Sequence, residues 1–176
     1  MSTEFIGVLS GIVLGLILCI IIFRVCNKDN RLKSEYDERQ LIARGKAYKA
    51  GFYTVVGYLA CLTLFFMSEI AIPFTTPVLA FFGIALGVSV VAGYSIWKGA
   101  YWGLNNNRTR YAVVFVICAI INLGAGITAI VNGYALLGFQ GPIINLICGI
   151  MLLVIGIASL VKNLINPEKD ADEEDE

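Results

Sequence analysis

The chain has 176 residues, 58% of them apolar, with 13 basic and 13 acidic side chains in balance and no histidine. A mean hydropathy of +0.79 excludes an ordinary soluble domain, because one core of this size cannot hide that much apolar surface. The missing histidine, together with the lack of any HExxH, GxSxG or phosphate-binding glycine loop, argues against zinc sites, hydrolytic triads and nucleotide chemistry, so the expectation is no enzyme, no metal and no cofactor.

Five apolar runs follow in order, Phe5 to Phe23, Gly51 to Ile72, Thr76 to Trp97, Tyr111 to Val131 and Ile143 to Val161. Each is about long enough to cross a ~30 Å hydrocarbon layer. They lack the alternation of barrel strands, and backbone amides in lipid must be satisfied within their own segment, so the runs predict an all-α, integral membrane helical bundle with five transmembrane helices.

The first run reads as a retained anchor (residues 1–23) rather than a cleaved signal peptide, since Glu4 precedes it, no basic residue does, and no small-x-small cleavage site follows. It carries Gly7, Gly11 and Gly15, a spacing that puts three small residues on one face and lets another helix approach closely, either from the same bundle or from another copy. Gly83 and Gly87 repeat the spacing in the third run and are the candidate partner face.

A charged segment, residues 24–50, comes next and holds most of the basic residues. Within it Glu35 and Arg39, and Lys33 and Asp37, stand four apart, and Ala43 and Ala47 share one face, which predicts a short helix leading into the second run. Glu35, Asp37, Glu38, Arg39, Arg44, Lys46 and Lys49 are its candidate contacts to lipid headgroups or to a cytoplasmic protein. Residues 51–165 then form two hairpins, because short connections force the second and third runs, and the fourth and fifth, to pair. The echo of Ser95-Ile96-Trp97-Lys98 in Ser159-Leu160-Val161-Lys162 suggests a weak parallel repeat of those hairpins.

Polar groups inside the runs are sparse. Asn122, Asn145 and Glu69 are the candidate intramembrane polar residues, Glu69 lying near the outer end of its run. Trp97, Tyr101, Trp102 and Tyr111 read as an aromatic belt at the inner interface. Of the five cysteines, four lie inside apolar runs and only Cys26 is expected to be exposed, as an ordinary free thiol. Residues 166–176 are an acidic tail that buries nothing and is expected to be disordered.

All thirteen lysines and arginines fall in the segment after the first run, the connection between the third and fourth, and the stretch after the fifth. The positive-inside rule then puts the N-terminus outside and the C-terminus in the cytoplasm, with the plasma membrane as the expected location.

Asp37-Glu38-Arg39-Gln40, followed by Arg44-Gly45-Lys46-Ala47 and an aromatic-rich run, resembles a pattern in small uncharacterised multi-span membrane proteins of Gram-positive bacteria and archaea. The resemblance covers about residues 34 to 60, and the first helix is an addition to it. It implies a domain of unknown function, often encoded beside small helix-turn-helix regulators, with no catalytic residues to carry over. The resulting expectation is a non-enzymatic membrane adaptor or sensor that engages a cytoplasmic partner through residues 34–49. The alternatives are a small permease or channel, with Asn122, Asn145, Thr128 and Glu69 along its path, or an accessory or immunity subunit docked through the Gly7, Gly11, Gly15 face. The bilayer, a cytoplasmic protein and further copies of the chain are the expected partners, without direct nucleic-acid binding.

Overall fold

The structure, a computed structural model, describes residues 3–29, 32–68, 73–133 and 141–165, with the side chains of residues 3–12 outside that description. Among the described residues the chain forms five helices and no strand: α1 (Thr3–Cys26), α2 (Glu38–Met67), α3 (Thr76–Trp97), α4 (Arg108–Val131) and α5 (Gly141–Ile165). Four of them, α2 to α5, are long and apolar enough to cross a membrane. Glu69, the Gly138 to Gln140 connection and the acidic tail lie outside the described residues.

Local chemistry sets the helix ends. Asp37 caps α2, its carboxylate accepting from the Gln40 N–H at 2.6 Å while the Gln40 side chain accepts from the Asp37 N–H at 3.3 Å, a reciprocal capping box. Two of the four residues of the Asp-Glu-Arg-Gln motif therefore start a helix. That helix continues unbroken for 30 residues, about 45 Å, so the charged segment supplies the first part of the helix that carries the second apolar run, and Lys33 and Glu35, expected on a helix, lie before its start. Pro77 sits in the first turn of α3, where its missing N–H costs nothing, and Asn107 caps α4 by accepting from the Arg110 N–H at 3.0 Å. Gly99, at φ +67°, ends α3 by turning the chain in a conformation other residues adopt only under strain.

The helices pair through glycines, but not the ones the first helix advertised. The Gly51 and Gly87 backbones cross so closely that a β-carbon on Gly51 would lie 3.1 Å from the Gly87 carbonyl oxygen, and the Tyr58 ring covers Gly83. Gly83 and Gly87 are thus packing residues whose partner is α2 rather than α1. In the α4–α5 hairpin, Gly126 meets Leu146, Gly149 meets Leu123 and Gly156 meets Val116. Gly15 has open space around it, while the surroundings of Gly7 and Gly11 lie outside the described residues. Close approach is set by what faces a glycine, and among the described residues α1 packs on no helix but α4.

The hairpins join along α3 and α5, where Ala92, Ile96 and Ile155 form a buried cluster and Lys162 stands 6.0 Å over the Trp97 ring. The two echoed segments therefore lie side by side at one end of the bundle. That end is also where α1 docks, through a cluster of Cys26, Trp102 and Tyr111.

Candidate functional site

The connection from Lys98 to Asn107 folds back over the bundle as a cap, clamped from two sides. On one side, the end of α1 pairs with it like a strand: Asn27 bridges Asn106, the Lys28 N–H donates to the Asn105 carbonyl at 2.8 Å, and the Asn107 N–H donates to the Cys26 carbonyl at 3.0 Å. The Tyr111 hydroxyl donates to Asn27 Oδ1 at 2.9 Å inside this joint. On the other side, the Leu104 N–H donates to the Glu35 carbonyl at 2.7 Å, and Asn105 returns the contact by accepting from the Glu35 N–H at 2.9 Å and donating to the Lys33 carbonyl at 2.9 Å. Gly103 is required at this crossing, because a β-carbon there would stand 2.5 Å from both the Glu35 carbonyl oxygen and Asn106 Oδ1.

The charged segment completes the clamp. Gln40, buried, donates through Nε2 to the carbonyls of Gly99 at 3.1 Å and Trp102 at 3.2 Å, and so satisfies at the buried Trp102 a backbone acceptor that would otherwise be orphaned. Arg44 Nη1 reaches the Ala100 and Tyr101 carbonyls at 3.4 Å each, and Nη2 donates to the Tyr48 hydroxyl at 2.8 Å. Its guanidinium also stacks 4.1 Å from the Tyr36 ring centroid and 5.6 Å from that of Tyr48, each such contact worth about 0.5–2 kcal/mol.

The expected contact residues thus divide. Arg44 and Asp37 serve the cap and the helix start. Glu38, Arg39, Lys46 and Lys49 are exposed on α2, and the exposed Glu35 takes part through its backbone.

Two expectations are corrected here. Cys26 is buried at 2% exposure, not an open thiol, because the carbonyl it contributes and the asparagine after it are bound into the cap. Of the four residues of the supposed aromatic belt, only Trp97 is exposed; Trp102 stacks on Tyr111 at 5.0 Å and on Phe115 at 5.9 Å, with Tyr101 edge-on to Trp102 at 4.5 Å. An interfacial belt and a buried aromatic cap have the same composition, and only the fold back of the connection separates them. Burial pushes the Tyr101 hydroxyl up to about 12, with Tyr36 adding to the rise and Arg44 opposing it.

Beneath the cap lies a cleft of about 810 Å³, within the ~300–1,000 Å³ range of small-molecule sites. It exists because, among the described residues, α4 is the one helix that α1 leans on, which leaves a gap toward α2 and α3. The wall away from the cap is apolar, including Cys19, Phe52, Ile84 and Val88, whereas the capped end carries Tyr36, Arg44, Tyr101 and Trp102.

Ser95 of α3 lines the cleft, but Asn122, Thr128, Ser89 and Thr54 do not. Asn122 donates to the Cys118 carbonyl at 2.8 Å, Thr128 to Gly124 at 2.7 Å, Ser89 to Ala85 at 2.7 Å and Thr54 to Ala50 at 2.9 Å, each back onto its own helix. Asn145 is half-buried on α5.

Sequence reasoning missed Gln40, Asn27, Asn105 and Gly103. The Asn105-Asn106-Asn107 run in a connection flanked by Gly99 and Gly103 was the available signal, since amides in that density are suited to satisfying turn backbone. No protein-family model, curated protein or solved structure matches the chain.

Proposed function

We propose that this is a non-enzymatic multi-pass protein of the plasma membrane that acts as a membrane sensor. The cleft takes an amphipathic molecule from the bilayer, and the opposite, exposed face of the α2 start engages a cytoplasmic protein. The positive-inside rule supports placing the cap in the cytoplasm, since Lys98, Arg108 and Arg110 flank it. The resemblance of residues 34 to 60 to small bacterial and archaeal membrane proteins supports the same setting.

The observation that carries the reading is that one side chain, Arg44, both lines the cleft and holds the Ala100 and Tyr101 carbonyls of the cap. A molecule that draws on Arg44 competes with the cap for its donors, so cleft contents and cap position are energetically linked. Glu38, Arg39, Lys46 and Lys49, exposed on the same helix, are the surface where a partner reads the change. The adaptor reading is favoured over a permease because Asn122 and Thr128 spend their donors within their own helices rather than along a shared path.

The test is lysine crosslinking in intact membranes with identification of products by mass spectrometry, for the native chain and for Val88→Phe, which fills the cleft. The expected result is a soluble protein joined to Lys46 or Lys49 in a yield that Val88→Phe changes. Self-crosslinks alone, or a partner whose yield ignores the cleft, overturn the sensor reading.

A further inference from the structure

We infer that the cleft selects an anionic phospholipid, its phosphate held by Arg44 and its chain laid along the apolar wall formed by α1, α2 and α3; this rests on reading the cleft as a ligand site.

Three features carry it. First, every contact that Arg44 makes among the described residues is to a neutral group: two carbonyls, one hydroxyl and two aromatic rings. A half-buried guanidinium with no carboxylate beside it has an unneutralised charge facing a low-dielectric space, which an anion entering that space relieves. Second, Nη1 is spent on two carbonyls and Nη2 gives one bond to Tyr48, which leaves the Nε–H and one Nη2–H without a protein acceptor among the described residues. Nε and Nη2 are neighbours on the guanidinium fork, the arrangement that takes two oxygens of one phosphate. Third, charge and apolar surface are segregated along the cleft. Arg44, Tyr36, Tyr48 and Tyr101 line the capped end, the Tyr48 hydroxyl held by Arg44, and Phe52, Ile84 and Val88 line the other part, exposed where a lipid chain would pass. A free phosphate has no use for that wall, a lipid without a phosphate has none for Arg44, and a zwitterionic lipid brings a choline cation beside the guanidinium along with its phosphate.

The chain has two tryptophans, and one of them, Trp102, lines the cleft, so Trp97→Phe leaves a single reporter inside it. The experiment places this full-length variant in vesicles of phosphatidylcholine, adds phosphatidylglycerol or phosphatidylcholine brominated near the headgroup end of the chain, and reads quenching of Trp102. The expected result is quenching by the anionic lipid at about tenfold lower mole fraction than by the zwitterionic one, because both offer a phosphate to Arg44 but the choline ammonium of the second sets a like charge near the guanidinium, a repulsion on the scale of one screened charge pair. Arg44→Gln should erase the preference and Arg44→Lys should keep most of it.

Gln40→Ala, which loosens the cap without touching charge, should keep the preference as well. If Gln40→Ala erases it as completely as Arg44→Gln, the effect is loss of the cap and the inference fails. Equal quenching by both lipids, unchanged in Arg44→Gln, overturns the charge selection while leaving the cleft a lipid site. No quenching by either lipid overturns the cleft reading itself. Blocking of the quenching by inorganic phosphate at equal concentration assigns the site to a soluble anion and overturns the lipid.

Discussion

Gly103→Ala should open the cap, and Cys26 is placed to report it. A β-carbon at residue 103 would stand 2.5 Å from the Glu35 carbonyl oxygen and from Asn106 Oδ1, and 3.1 Å from Ser34 Cβ. Two of those neighbours are fixed, one as backbone and one as a buried side chain, so the loop must lift. Lifting lengthens the Leu104 N–H to Glu35 carbonyl bond of 2.7 Å and the Glu35 N–H to Asn105 bond of 2.9 Å. At about 1 kcal/mol net for each bond and about 1–3 kcal/mol for overpacking, discounted because the two overlap, opening becomes easier by roughly 2–4 kcal/mol.

The Asn106–Asn107 end of the same loop covers the end of α1, so opening bares Cys26, which is 2% exposed when the cap is closed. Labelling of Cys26 by a membrane-impermeant maleimide, located by mass spectrometry and measured as a rate, should rise about 30- to 700-fold, the same free energy at about 1.4 kcal/mol per factor of ten. Gly57→Ala, at a helical glycine with open space around it, should leave the rate alone. An unchanged rate in Gly103→Ala would show that the cap does not depend on this crossing and would refute the packing argument.

Other consequences can be checked separately. Asp37→Ala removes a cap bond of 2.6 Å and should cost about 1 kcal/mol, seen as faster amide exchange at Glu38 to Leu41 with the apolar part of α2 unchanged. Gly51→Leu should separate α2 from α3 and lower the thermal midpoint in detergent more than Gly15→Leu, because a side chain on Gly51 meets Val91 and the Gly87 carbonyl whereas Gly15 faces open space. Tyr101, raised to about 12 in the folded chain from an ordinary value near 10, binds its proton more tightly when folded. Its effect on stability is therefore flat below about pH 10 and destabilising between about 10 and 12, and Tyr101→Phe should remove that slope in alkaline unfolding curves.

The membrane class, the helical content and the five apolar runs were legible in the sequence because a hydrocarbon solvent leaves the backbone little choice. A helix in the charged segment was legible through Ala43 and Ala47, but the opposite charges at Lys33 and Asp37 and at Glu35 and Arg39 misplaced its start, since α2 begins at Glu38 behind the Asp37 cap and then runs unbroken through the second apolar run. The glycine faces were legible only as possibilities. A small residue permits close approach without specifying a neighbour, so Gly83 and Gly87 gained their meaning from Tyr58 and Gly51, and Gly15 gained none within the described chain.

What only the tertiary structure decided was the fate of the polar and aromatic residues at the basic end. Gln40 and Arg44 are ordinary members of a charged segment until the 98–107 connection lays its carbonyls against them. Trp102, Tyr111 and Cys26 belong to an interface or a core according to whether that connection folds back. The pairings that make it do so join residues far apart in the chain, such as Asn105 with Glu35, 70 positions away, and Tyr111 with Asn27, 84 positions away. Such long-range hydrogen bonds leave no periodicity in the chain, so the cap, and with it the cleft, becomes visible only once the helices are assembled.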